Sequence, residues 1–264
     1  MTTEKVIGAA AFGRTGAERP FLTGERSMAE TLLGHAALNI QLYRLFDDLQ
    51  QMSVDVVRAM VAAIDAKDNY TGNHSERVAQ WSRLMGQELG MSSQDLQMLE
   101  WGARLHDVGK IGTRESVLGK AGPLTPEEFE HIKQHPVTSY EVLKPIHRLA
   151  RVLPGVRHHH EHWNGSGYPD GLAGEDIPLF ARVIQTADVF DALTSSRSYR
   201  RAYSVSEALR IMSGEAGGCL DPRLVQIWVQ IVERMLAQRP GLFAHIPPDP
   251  GPATSSAGHG GDGP

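Results

Sequence analysis

Between residues 28 and 67 the apolar positions Leu38, Leu42, Leu45, Leu49, Met52, Val56, Ala59 and Ala63 follow one another in alternating steps of four and three. That spacing is a heptad seam. No proline and only one glycine, Gly34, interrupt the stretch, so Met28 to about Lys67 reads as one long helix. Two readings of the seam stay open. The apolar face packs on its own domain, or it joins two chains as a parallel helix pair that carries a signal.

From Tyr70 to about Leu236 the pattern is mainly helical. Val78, Trp81, Met85 and Leu89 share one face of a helix over Ser75–Leu89, with Gly90 as its C-cap. Ser92 or Ser93 caps a helix carrying Leu96, Leu99 and Leu105, which runs into His106-Asp107 and stops near Gly109. Thr125 and Pro126 open another, as N-cap and first residue. That helix is expected to carry both His131 and His135 and to continue through Pro136 toward Val142 and Leu143. Residues 164–174 form a glycine-rich loop around Gly167-Tyr168-Pro169. Helix resumes over Ile177–Ser195, with Asp188 inside it, and Asp221-Pro222 starts a last helix through Ile227, Trp228, Ile231 and Met235. Lys5–Arg14 reads as one short strand. The Pro-, Gly- and Ser-rich residues after about Arg239 read as disorder.

Composition narrows the classes. A hydrophobic fraction of 41% suffices for a core. A net charge of -5 with no basic run argues against a DNA or general nucleic-acid binder. One cysteine, Cys219, permits no disulfide within the chain and fits a reducing, cytoplasmic setting. No apolar run is long enough for a membrane span, and no signal-peptide pattern opens the sequence.

The chemistry lies in a series of histidines and aspartates: His74, His106-Asp107, His135, His159-His160 and Asp188. An adjacent His and Asp offer a neutral imidazole and a carboxylate able to bridge two cations. The set supplies enough N and O ligands for two divalent metals, with positions left for water and substrate, and points to metal-assisted hydrolysis. His158 and His162 crowd the doublet. Adjacent side chains on a helix diverge by about 100°, so a doublet serves one metal only where the backbone bends or the site sits between the two directions. Asp188 lies in an apolar stretch, where a buried unpaired carboxylate is costly; it is expected to be paired or metal-bound. Lys110, in the turn after Gly109, is presented beside the metals.

Residues 70–225 resemble the HD-GYP family, a branch of the HD phosphohydrolases. The resemblance rests on YTGNHSERVA (Tyr70–Ala79), LHDVGKIG (Leu105–Gly112), KQHP (Lys133–Pro136), VRHHHEHWNGSGYPDGL (Val156–Leu172), IPLFARVIQTADVFDALTS (Ile177–Ser195) and RSYRRA (Arg197–Ala202). It implies an all-α fold, an HD-domain helical bundle preceded by a long connector helix. It further implies a centre of two or three Fe or Mn ions and hydrolysis of cyclic di-GMP to pGpG, with a second cleavage to GMP left open. Carried over by position, His74, His106, Asp107 and Asp188 hold one metal. His135, His159 and His160 hold the second, with Asp107 bridging. His106, Asp107 and Lys110 are the expected catalytic residues, with Lys110 meeting a phosphate oxygen. Tyr168 is expected to line the substrate groove, Arg197 and Arg200 to reach a phosphate or guanine edge, and Asp191 to contact substrate near the cluster. Arg182 is expected in an internal ion pair.

Three positions depart from the family's pattern. Tyr70 stands where members with a third metal carry Glu, which favours two divalent ions. Asn164-Gly165 replaces Asp-Gly, and Ser139 stands where Gly is frequent, a change expected to alter helix packing. Lys5–Leu45 is similar to the last strand and closing helix of a GAF sensor domain. The expected organisation is therefore a partial GAF-like segment (1–27), a connector helix (28–67), an HD-GYP domain (68–238) and a disordered tail (239–264). Implied partners are cyclic di-GMP, a GGDEF-domain protein docking at the GYP loop, and a second copy of the chain through the connector. Two alternatives remain: a weakly active or inactive module that binds the dinucleotide or docks a GGDEF-domain protein, and an enzyme acting on another cyclic dinucleotide or a nucleotide phosphate.

Overall fold

The computed structural model describes residues 22–67, 73–120, 122–196, 200–238, 240–243 and 246–247, together with 11 and 20. The described residues form α-helices and short 3-10 turns, with no sheet strand among them. The expected strand at Lys5–Arg14, Ala11 apart, lies outside the described residues, as do Tyr70 and Arg197.

The chain divides into two units, residues 1–59 and 60–264. The helix α1, Thr23–Lys67, runs 45 residues and crosses from one unit into the other. The division between the units falls within α1, between Ala59 and Met60. The reason is burial: Ile64 and Asp65 are the buried residues of α1. In the first unit, Leu38, Leu42, Leu45, Leu49, Met52 and Val56 are each at least half exposed.

The second unit contains α2 (His74–Glu88), α3 (Ser93–Leu105), α4 (Glu115–Leu118), α5 (Pro126–Ile132), α6 (His135–Leu143), α7 (Leu153–Arg157), α8 (Leu179–Thr194), α9 (Val205–Gly214) and α10 (Pro222–Gln238). Side-chain caps set many of the starts. Ser92 accepts from the Asp95 N–H at 3.1 Å. Thr125 with Glu128 and Ser204 with Glu207 form capping boxes for α5 and α9. Asp221 accepts from the N–H groups of Arg223 and Leu224 at the start of α10.

The core joins α2, α3, α8, α9 and α10. At its centre Trp228 meets Trp81 at 5.7 Å and Phe190 at 5.0 Å between ring centroids. Phe243 stacks on Trp81 at 5.9 Å. Phe243 and Ile246 are buried, so the expectation of disorder from 239 onward is corrected for that turn. Burying each such side chain contributes about 1.5–3 kcal/mol.

The single helix expected through His131 and His135 is two helices. α5 ends at Ile132 and α6 begins at His135. Pro136 has no N–H to give the Ile132 carbonyl four residues back, so the ladder breaks there. His135 takes that carbonyl instead, through Nδ1 at 2.8 Å.

Candidate metal centre

The same device recurs at three ligand positions. His106, His135 and His159 each stand just past a helix C-terminus, those of α3, α5 and α7. The last turn of a helix leaves carbonyls without intrahelical donors. Each histidine places Nδ1 on the carbonyl three residues earlier: Ala103 at 2.7 Å, Ile132 at 2.8 Å and Val156 at 2.6 Å. A carbonyl only accepts, so Nδ1 carries the proton and the neutral ring keeps a lone pair on Nε2. Metal-binding histidines are oriented in this way.

Those lone pairs converge. His135 Nε2 and His159 Nε2 lie 3.4 Å apart, and Asp107 Oδ1 lies 3.1 Å from the first and 3.8 Å from the second. Asp107 Oδ1 is buried and has no hydrogen-bond partner. Acceptors facing acceptors repel unless a cation sits among them. With His160 these residues form one set whose ligand atoms lie within 4.8 Å of one another. His74, His106 and Asp188 form a second such set. Asp107 joins the two: its other oxygen, Oδ2, faces His106 Nε2 at 3.3 Å and Lys110 Nζ at 2.6 Å. Asp188 Oδ1 and His106 Nε2 are likewise buried without hydrogen-bond partners. The donor set fits divalent cations, and among the described residues these two sets can hold them.

Charge in the centre follows the same logic. Burial acts to raise the Asp107 carboxyl, yet His106 and Lys110 hold it well below the usual range. Burial disfavours a charged His106, but Asp107 and Asp188 outweigh it and lift His106 to about 9. This disagrees with the neutral tautomer deduced above only while no cation is bound; a proton on His106 then answers the carboxylates as a metal would. Burial, with repulsion from His106 and His135, holds His159 down at about 4, and His160 falls well below its ordinary value for the same first reason. An ionised Asp107 and neutral His159 and His160 are the states that ligate cations.

The doublet works because residues 158–160 form a turn after α7 rather than more helix. His158 turns away, with Nδ1 at the Pro154 carbonyl and Nε2 at Asp170. His162 faces Ser166. Two residues that composition and spacing did not single out shape the surroundings. Ser139, read as a packing change, donates to the His106 carbonyl at 2.7 Å and accepts from the Gly109 N–H at 2.8 Å. It locks the His-Asp turn to α6. Gly109 is required there, because a Cβ would lie 2.1 Å from the His135 carbonyl oxygen. Glu161 is buried and accepts from the N–H groups of Asp170, Gly171 and Leu172. It clamps the GYP loop, which explains why the further group His158, Glu161 and Asp170 serves structure. A Cβ on Gly167 would meet the His162 nitrogen at 2.2 Å. Tyr168 stacks on His160 at 4.9 Å, at the edge of the centre.

Two residues expected near the substrate, Asp191 and Arg200, make contacts within the fold. Asp191 is buried, and its oxygens accept from His74 Nδ1 at 2.8 Å and from Arg77 at 2.6 and 3.0 Å. It orients His74, the task the backbone carbonyls perform for His106, His135 and His159. Arg200 donates to the carbonyls of Ala192, Leu193 and Arg201, closing the end of α8. A cation is favoured at a helix C-terminus. Arg182 pairs with Asp221 at 2.7 Å, the expected internal ion pair.

The helical body and its His-Asp turn define an HD domain. The family model of that description matches residues 58–224, and the chain belongs to the HD domain family. The "Cyclic di-GMP phosphodiesterase response regulator RpfG" of Xanthomonas campestris pv. campestris (strain 8004) is 38% identical over 204 residues, 76% of this chain and 54% of that protein. The "3'3'-cGAMP-specific phosphodiesterase 3" of Vibrio cholerae is 39% identical over 170 residues, 63% of this chain and 36% of that protein. A crystal structure of a cyclic GMP-AMP specific phosphodiesterase of V. cholerae shares the fold at a TM-score of 0.55 and 24% identity, covering 73% of this chain and 54% of that one. The chain spans about half the length, or less, of these curated relatives. Among the described residues no helix is long and apolar enough to cross a membrane.

Proposed function

We propose that the chain is a metal-dependent phosphodiesterase that hydrolyses cyclic di-GMP to linear pGpG in the cytoplasm. The observation that carries this reading is Asp107, whose two oxygens face two separate sets of ligands. The relatives named for cyclic-dinucleotide hydrolysis support the substrate class. Two Fe or Mn ions are the proposed occupants, and when bound they supply Lewis acidity toward phosphoryl oxygens and water. The chain's own residues do the rest. Asp191 and three helix-end carbonyls orient four of the five imidazoles, and Tyr168 stacks on the fifth, His160. Lys110, beside Asp107, places an ammonium for a non-bridging phosphoryl oxygen, where charge develops during displacement. Tyr168, held by Glu161 through the loop, gives a base an aromatic surface at the edge of the centre.

The exposed seam supports a parallel homodimer through α1, since an unpartnered apolar stripe on a helix is costly in water. The GYP loop is the proposed face for a GGDEF-domain protein. Purified protein with Mn²⁺ or Fe²⁺, assayed against cyclic di-GMP, 3'3'-cGAMP and pGpG with chromatographic separation of products, tests the activity. Release of pGpG from cyclic di-GMP is expected. The second reading is a 3'3'-cGAMP phosphodiesterase, favoured by the identity to the V. cholerae relative. Cleavage of 3'3'-cGAMP with cyclic di-GMP untouched would establish it.

A further inference from the structure

Two charged residues at the C-terminal end of α1 touch two of the segments that carry candidate metal ligands, those of His74 and Asp107. Asp65 is buried. Its carboxylate accepts from Ser75 Oγ at 2.6 Å and from the Ser75 N–H at 3.1 Å. Ser75 is the second residue of α2, immediately after His74. The residue before that helix, Asn73, sits in the left-handed region at φ 69° and gives no side-chain cap. Asp65 therefore does from another helix what an N-cap residue does from within: it accepts an orphan N–H and sets a negative charge at a helix N-terminus.

Lys67 does the converse. Its Nζ donates to the carbonyls of Thr113 at 2.8 Å, Ile111 at 2.9 Å and Lys110 at 3.4 Å. These carbonyls close the 3-10 turn Val108–Gly112, which Asp107 opens and which contains Lys110. A positive charge thus meets the carbonyl end of the turn, and all three ammonium protons have acceptors. The signs are matched to the two ends they meet. The residues are two apart on one helix, so that helix end sets the spacing between the segment of His74 and the segment of Asp107. His74 and Asp107 fall in different ligand sets.

We propose that Asp65 and Lys67 are positioning residues for the metal centre, holding its two ligand sets in register from the end of α1. The proposal rests on the metal-centre reading but on no particular substrate.

Mn²⁺ binding to the full chain tests it, by isothermal titration, with circular dichroism and the thermal midpoint of the metal-free protein recorded alongside. The wild type goes first: absence of Mn²⁺ uptake there overturns the metal-centre reading and this proposal with it. Given wild-type uptake, Lys67→Met and Asp65→Ala should keep their helix content and bind Mn²⁺ about 10–100-fold more weakly, the range for lost orienting contacts at metal sites. Lys67→Arg, which keeps a cationic donor, should recover part of that loss. Ser75→Ala, which removes one of the two bonds to Asp65, should weaken binding less than Asp65→Ala. Affinity equal to wild type in folded Lys67→Met and Asp65→Ala overturns the proposal. Loss of helix content in every variant also overturns it, because the contacts then serve the fold and not the centre.

Discussion

Two regions of this molecule invert the usual placement of side chains, in opposite senses. The second unit buries His74, His106, Asp107, His135 and His159 almost completely. The first unit exposes Leu42, Leu45, Phe46 and Leu49 on α1. Buried polar groups and exposed apolar stripes are the informative exceptions to burial rules. Each marks a place where the chain alone leaves an interaction open. In the buried cluster the open interaction is with a cation, because acceptor atoms face one another. Along α1 the apolar side chains of the seam are exposed, and burying them against apolar surface would be favourable. The buried cluster is suited to charge and the exposed stripe to apolar surface, so the two are expected to respond to different perturbations.

The largest effect should come from removing the residue that faces both ligand sets. Asp107→Ala should abolish hydrolysis and lower metal content from the about two ions per chain of a two-metal site to one or none. Elemental analysis of protein made in iron- and manganese-supplemented medium reads this, and a wild-type value near three ions would reject the two-metal count. Next comes Lys110→Ala. It should keep the metals and slow turnover by roughly 10²–10³-fold, the cost of one lost contact to developing charge. Turnover at the wild-type rate would remove Lys110 from the proposed chemistry.

The seam should answer differently. Leu42→Glu with Leu49→Glu should convert a dimer to monomers while metal content stays unchanged. Light scattering with parallel metal analysis reads both. A monomeric wild-type chain at micromolar concentration would reject the dimer and leave the exposed stripe without its proposed partner.

The smallest effect concerns an ion pair that belongs to neither region. Hydrogen bonds from Arg157 and His158 hold the Asp170 carboxyl at about 2, below the ordinary carboxylate value near 3.9. A carboxylate depressed in the folded state contributes stability that is fully present above the ordinary value and lost as pH falls through the folded one. The side chain is 40% exposed, so solvent screening limits the contribution to under about 1 kcal/mol. Asp170→Asn should lower Tm slightly at neutral pH, and the gap to wild type should shrink as pH falls toward about 3. A gap that widens on acidification would show that the Asp170 pairing is not what stabilises the loop.

Much of the architecture was legible before the fold was known. Period and caps placed α2, α3, α8 and α10 within a few residues, because helix start and face are set by neighbours three and four positions away. Residue type and order likewise picked out the His and Asp series, since few side chains ligate divalent cations. The GYP loop was legible as a loop, but its clamp Glu161 was not. A glutamate among histidines reads as one more polar residue until three amides from nine to eleven positions later fold over it. Ser139 read as a packing change and serves as a tie across the His-Asp turn.

The sequence by itself determined that the chain is mainly helical, where about half of its helices begin, and which side chains are chemically able to hold cations. Only the tertiary structure decided their partners. It directed Asp191 to His74 and Arg200 to the end of α8, contacts that residue type and order did not reveal. It also set Asp65 and Lys67 of α1 against the segments of His74 and Asp107. The physical reason is range. Periodicity and capping act within a few residues, whereas a carboxylate, an ammonium or an imidazole N–H takes whichever orphan backbone or side-chain group packing brings within 3 Å or so, and packing joins residues far apart in the chain.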